Sequence, residues 1–153
     1  MKQVIIFTDG ACINNPGPGG WAAILIYGAH KKEIYGCALA TTNNQMEMAA
    51  AIEALKTLKE PCVVSLFSDS QYLCNGIRMG WAKSWRNRGW KKSDGTEPKN
   101  IPLWKELLEL TEKHTVSFQW VKGHAGNELN ERCDELATTA AAKQISSKEK
   151  ENE

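Results

Sequence analysis

No uninterrupted apolar run in this chain approaches the ~20 residues that a membrane-crossing helix requires. The first residues, MKQVIIFTDGA, carry one lysine and a brief apolar run that meets an acid with no cleavage-like stretch, so they read as a first strand and not as a signal peptide. Strong charge of either sign is also missing. A net charge of +1 gives no global sign of a polyanionic partner, and any such partner must be read from local charge. The five cysteines (Cys12, Cys37, Cys62, Cys74, Cys133) form no CxxC pair and have no histidine at zinc-like spacing, which argues against a zinc site and a disulfide scaffold. Free thiols in a reducing cytosol are the expectation, and with them a cytoplasmic location. Repeats and a second domain are absent too. What remains is ordinary for a globular domain: 153 residues, 42% hydrophobic and 24% charged, enough for one proper core.

The pattern along the chain is α/β. Val4–Thr8 reads as a strand, followed by a turn-rich loop, DGACINNPGPGG. Residues 21–27 and 33–40 form a hairpin around GAHKK, so the sheet begins antiparallel. From Asn43 to Leu58, Met48, Ile52, Leu55 and Leu58 recur on one helical face until Pro61 stops it. CVVSLFSD is a buried strand that the crossover rule pairs parallel with the first. Short helices over Ser70–Met79 and Trp81–Asn87, a loop over Gly89–Pro98, a helix over Ile101–Lys113, a strand over residues 116–121 and a helix over Asn127–Ala142 complete a mixed sheet of five strands flanked by helices. The charged end KQISSKEKENE, residues 143–153, is expected to be a disordered tail after a single domain of residues 1–142.

Four carboxylates stand out. Asp9 and Asp69 follow apolar strand-like runs, and Glu47 and Asp134 open the first turn of helical segments. Singly, each has a structural use as a turn residue or an answer to a helix dipole. Together, at the carboxyl ends of paired parallel strands, they are how an open α/β sheet collects hard oxygen ligands for Mg²⁺ or Mn²⁺. Like charges so close are costly without a cation. His124, between Gly123 and Gly126, reads as part of a loop able to move, and an imidazole can take or give a proton at physiological pH; His30 and His114 read as structural or solvated. Residues 81–99, WAKSWRNRGWKKSDGTEPK, hold six cations against two acids, a net +4, and half of the six tryptophans. Cations interleaved with aromatics suit a nucleic-acid backbone, although Trp81 and Trp85 have the spacing to pack inward.

TDGACINNPGPGGWAAIL, TTNNQMEMAAAIEAL, SDSQYL, the Trp81–Trp90 segment and WVKGHAGNELNERCDELA resemble, in order, the blocks of bacterial type 1 ribonuclease H over about residues 2–142. The resemblance implies a ribonuclease H-like fold and a two-metal endonuclease cutting the RNA strand of RNA–DNA hybrids, leaving 5′-phosphate and 3′-hydroxyl ends. It implies Asp9, Glu47, Asp69 and Asp134 as metal ligands, with Mg²⁺ the expected ion and Mn²⁺ a substitute, and His124 as a mobile proton-handling group. It assigns RNA-strand contacts to Asn15, Asn43, Asn44 and Gln71, with Cys12 in the same loop, and a phosphate contact to Thr42 and Asn100. Trp81, Trp85, Arg86, Arg88 and Lys91 belong to a handle on the DNA strand. Asn43 is also a plausible N-cap for the Glu47 helix. Ala40 and Gln45 stand where the family often has arginine, and SDGTE replaces a more lysine-rich loop, which implies weaker, less salt-sensitive hybrid binding. A non-catalytic hybrid-binding module would have lost an acid, and none is lost. A resolvase or transposase core would lack the basic segment and the GHAG loop. No extra apolar helix face asks for a protein partner, so a monomer is expected.

Overall fold

The computed structural model describes residues 1–123 and 126–151, with side chains described as far as Gln144. Five strands form one sheet: β1 (Lys2–Cys12), β2 (Gly17–Tyr27), β3 (His30–Thr41), β4 (Cys62–Ser68) and β5 (Thr115–Trp120), in the order β3-β2-β1-β4-β5. The first three are antiparallel, while β4 pairs parallel with β1 and β5 parallel with β4. The helices are α1 (Asn43–Lys56), α2 (Gln71–Arg78), α3 (Trp81–Asn87), α4 (Ile101–Lys113) and α5 (Glu128–Glu151).

Alternation along β1 assigns the two faces of the sheet. Val4 and Ile6 point into the larger core, with Met48, Ile52 and Leu55 of α1 and Trp104, Leu107 and Leu108 of α4. Phe7, on the other face, packs with Ile24 and Cys133 of α5. The sheet is therefore sandwiched, with α1 and α4 on one side and α5 on the other. Two glycines permit this closeness. A Cβ on Gly10 would lie 2.5 Å from the Glu47 backbone nitrogen, and one on Gly20 would lie 2.3 Å from the Ala137 carbonyl oxygen.

The same glycines correct one expectation. The Gly- and Pro-rich stretch after Thr8 is not all loop: β1 continues through Cys12, and Gly17–Gly20 already belong to β2, with Asp9 opposite Ala22 and Cys12 opposite Gly19. Glycine here marks close approach of helices to the sheet more than it marks a turn. Helix α5 also runs on to Glu151, past the Ala142 end read from sequence, through a Lys/Glu-rich stretch of good helix formers.

Candidate active site

Parallel pairing of β1 with β4 ends at Phe7 and Phe67, and the acids gather just beyond that end. Asp9 stays in strand geometry because β2 continues to pair with it, so its carboxylate is held on a rigid ladder. Asp69 follows β4 directly. Its backbone is tied from two directions: Trp120 Nε1 donates to the Asp69 carbonyl oxygen (3.0 Å), and Val121 N donates to Ser68 O (2.9 Å). Glu47 is delivered by α1. Thr42 is the N-cap of that helix, its hydroxyl oxygen accepting from Gln45 N at 3.1 Å. This corrects the assignment of the cap to Asn43, which is the first helical residue; its N–H is instead bound by Asn15 Oδ1 at 3.0 Å.

One oxygen from each of Asp9, Glu47 and Asp69 lies within 4.8 Å of the others. Asp9 and Glu47 are buried, 3% and 8% exposed. Burial pushes the Asp9 carboxyl up to about 8, with the Asp69 charge adding to the shift and the Gly10 N–H, which donates to Asp9 Oδ1 at 2.9 Å, opposing it. Glu47 is raised well above the usual carboxylate range, first by burial and then by Asp9 and Asp69. Glu47 Oε2 is buried with no hydrogen-bond partner among the described residues. A buried carboxylate with one unpartnered oxygen, packed beside two other acids, is an unstable arrangement for protein atoms alone. It fits a hard divalent cation, for which carboxylate oxygens are the preferred donors.

Asp134 stands outside this trio. It is half-buried in the second turn of α5, not the first, and its charge raises Asp9. Its helix is fixed by Asn127, whose Oδ1 accepts from Leu129 N and Asn130 N, by Cys133 Sγ donating to Phe7 O at 3.3 Å, and by Arg132, which holds Glu33 of β3 with both Nε and Nη2. His124 lies outside the described residues. Its neighbour Gly123 abuts the cluster: a Cβ there would sit 2.7 Å from Asp69 Oδ2.

The residues expected to bind substrate divide into three groups. Asn15, Thr42, Asn43, Asn44 and Asn100 line one open groove with Gln45 and Lys99. Gln71 is exposed at the start of α2, next to Asp69. Cys12 is half-buried and its thiol donates inward, to Thr41 O at 3.3 Å. On the basic segment, Trp81 is 42% exposed, whereas Trp85 packs edge-on against Trp104 with centroids 6.0 Å apart. Trp90 packs against the core beneath Lys105. Arg86 is engaged by Glu112 of α4, which removes it from the free cations the sequence suggested; Arg88 and Lys91 are exposed. Sequence reasoning missed Tyr72, whose hydroxyl accepts from both Asn100 Nδ2 and Trp104 Nε1. Its place directly after Gln71 was the available signal.

A carboxylate cluster beyond the end of a parallel strand pair, with an amide-lined groove beside it, defines a class of protein: a sheet-based enzyme that gathers hard ligands against a phosphate-bearing substrate. Comparison with known proteins narrows the class. The RNase H family model matches residues 1–142. A ribonuclease H of Chlorobium phaeovibrioides is 57% identical over 93% of this chain and 97% of its own length, and one of Hahella chejuensis is 58% identical over 90% and 92%. Among solved structures, LC9-RNase H1, a type 1 RNase H with the type 2 active-site motif, superposes with a TM-score of 0.83 at 32% identity, covering 94% of this chain and 74% of that one. The chain belongs to the ribonuclease H family, and is a nuclease of the hydrolase class. Cleavage of RNA in RNA–DNA hybrids is the reaction that membership carries. No helix among the described residues is long and apolar enough to cross a membrane.

Proposed function

We propose that this protein is a Mg²⁺-dependent endonuclease that hydrolyses the RNA strand of RNA–DNA hybrids, leaving 5′-phosphate and 3′-hydroxyl ends. The observation that carries the reading is the trio Asp9, Glu47 and Asp69, together with the buried, unpartnered Glu47 Oε2. Asp9, Glu47 and Asp69 would hold the metal, with Asp134 completing the set from α5. A pair of bound cations supplies a nucleophilic water and offsets the charge that develops on the attacking and leaving oxygens.

The remaining work falls to the protein's own groups. The carboxyls of Asp9 and Glu47, both held above the usual carboxylate range by burial, would release protons on binding a metal, so affinity for the ion should rise with pH. Gly123 abuts Asp69, and its sequence neighbour His124 is assigned proton transfer during hydrolysis. Asn15 is oriented by its bond to Asn43 N, which spends its carbonyl oxygen and leaves its NH₂ to the groove. Asn43, Asn44 and Gln71 offer further amides near the acids, chemistry suited to the 2′-hydroxyls that distinguish RNA. Arg88, Lys91 and Trp81 stand free to hold the DNA strand. LC11-RNase H1 has been solved in complex with an RNA/DNA hybrid and shares this fold with a TM-score of 0.69. Residues 1–142 are the catalytic unit of a cytoplasmic monomer, and residues 143–153 form its charged tail.

The test is a gel comparing labelled hybrid, duplex RNA and duplex DNA, each with Mg²⁺ and with chelator. Mg²⁺-dependent cutting confined to the RNA of the hybrid is the expected result. Cutting in chelator, or equal cutting of duplex RNA, would refute the reading.

A further inference from the structure

The segment that leaves β5 is fastened to Asp69 and its neighbour at three places. Ser68 and Trp120 are the last paired positions of β4 and β5, so Asp69, one residue further on, lies beyond the end of both β4 ladders. The indole of Trp120 takes over where the ladder stops: Nε1 donates to Asp69 O at 3.0 Å while the ring stays 42% exposed. That N–H is the one polar group of the side chain, and it is spent on this single carbonyl. Val121 N donates to Ser68 O at 2.9 Å. Gly123 then passes the carboxylate so closely that a Cβ would lie 2.7 Å from Asp69 Oδ2, against an ordinary 3.6 Å from Asp69 Cβ. The backbone of Gly123 is outside the left-handed region, unlike that of Gly126 at φ 81°. Glycine at 123 is therefore needed for its missing side chain and not for its backbone freedom.

We propose that Trp120 and Gly123 are positioning residues for Asp69: the Trp120 indole holds its backbone, and the bare Cα of Gly123 leaves its carboxylate the room to join Asp9 and Glu47. The inference rests on the metal-site reading above. Asp9 and Glu47 are buried and held by their surroundings, whereas Asp69 is only half-buried and needs other restraints. Fixing its carbonyl oxygen fixes the planar peptide that follows its Cα, and with it the direction in which the side chain leaves the backbone. Groups that orient a metal ligand in this way tune the site almost as strongly as the ligands do. A methyl at position 123 would push on Oδ2, the free end of a rotatable side chain. Moving that end costs the fold little, but it takes one carboxylate of the trio out of place.

The experiment is a Mg²⁺ titration of the substrate-free protein followed by amide NMR shifts, for wild type, Gly123→Ala and Trp120→Phe. Melting in chelator and steady-state kinetics on a short hybrid accompany it. Gly123→Ala should weaken Mg²⁺ binding by about 10–100-fold. Its Tm in chelator should stay at or above the wild-type value, because alanine restricts the unfolded chain and fits this backbone. Trp120→Phe keeps a ring and loses the N–H, and should weaken Mg²⁺ binding by about 3–10-fold. In both variants kcat should fall at limiting Mg²⁺ and recover as Mg²⁺ is raised, while KM for the hybrid stays within about twofold. Wild-type Mg²⁺ affinity in either variant overturns the role of that residue, whatever happens to its Tm, and leaves the metal-site reading standing. A kcat that stays low at saturating Mg²⁺ with unchanged affinity does the same. No Mg²⁺ binding by the wild-type protein refutes the metal-site reading itself, and the positioning roles with it.

Discussion

The acid cluster and the segment 81–99 treat charge in opposite ways. Around Asp9 and Glu47, three acids are pressed together, two of them buried, and one oxygen is left without a partner among the described residues. In residues 81–99 the cations are spread over an exposed surface, one of them already tied to an acid on α4. The first arrangement is costly to the fold and makes sense only if something of opposite charge arrives. The second costs little, because exposed charges are hydrated and screened. On the proposed function the contrast separates where bonds would be broken from where substrate would be held, and each region can be broken separately.

The largest effect is expected from the acids. Asp69→Asn keeps the size of the side chain and should keep the fold, but a neutral amide neither balances a cation nor replaces a carboxylate ligand. Cleavage should fall by at least ~10³-fold. Thermal melting with and without Mg²⁺ gives an independent readout. Saturating metal should raise the wild-type Tm, by an amount equivalent to ~2.7 kcal/mol at a hundredfold excess over Kd, and leave the variant largely unmoved. Near-normal turnover in Asp69→Asn would end the metal-site assignment. His124→Ala should cost less, ~10²–10⁴-fold in kcat with little change in KM, as for other general acid–base groups. Unchanged kcat at neutral pH would return His124 to an ordinary loop residue.

The same cluster makes a prediction about stability that needs no substrate. The folded-state pKa of Asp9, about 8, lies above its unfolded value near ~3.9, so between those values the folded protein binds more protons than the unfolded chain. Metal-free stability should therefore be greatest at the acid end of that window and decline as pH rises through about 8. Asp9→Asn removes the charge that repels its neighbours at high pH. It should melt at a higher temperature than wild type in chelator at pH 8, with the gap closing toward pH 4. Equal melting temperatures at pH 8 would mean that the cluster stores no electrostatic cost.

Much of this was legible from sequence, for physical reasons that also explain the failures. The strand order and the parallel β1–β4 pairing follow from hydrophobic runs and the geometry of crossovers, which are local signals joined by one topological rule. The meeting of Asp9, Glu47 and Asp69 was legible because three separate motifs each carried one acid at the end of a strand or the start of a helix. The extent of β1 was not, because Gly10 and Gly20 were read for their freedom, while in the fold they are there for their missing Cβ against α1 and α5. The α1 cap was misplaced by one residue, since Thr42 and Asn43 are both good capping types and a tertiary bond from Asn15 decides between them. The hydrogen bonds that Asn100 makes with Gln45 and Tyr72 had no local signature at all: their partners are 55 and 28 residues apart.

The smallest effects belong to the basic segment, and there the structure sharpens what composition alone suggests. By charge count Arg86, Arg88 and Lys91 are equivalent. In the fold they are not, because Arg86 is paired with Glu112 while Arg88 and Lys91 have no ion-pair partner among the described residues. If the segment holds the DNA strand, Arg88→Ala with Lys91→Ala should raise KM severalfold and leave kcat at saturation intact. It should also flatten the slope of log affinity against log salt, by about 0.9 for each phosphate no longer neutralised on a B-form duplex. Arg86→Ala should leave that slope nearly unchanged and instead cost the stability of one exposed pair, ~0–1 kcal/mol. A salt series of KM for wild type and both variants, with a melting curve for each, separates the two roles. Equal flattening in both would show that the Glu112 pair opens when substrate binds. A wild-type slope in both would mean that the segment is a solvated surface and that the hybrid is held by the amide-lined groove alone.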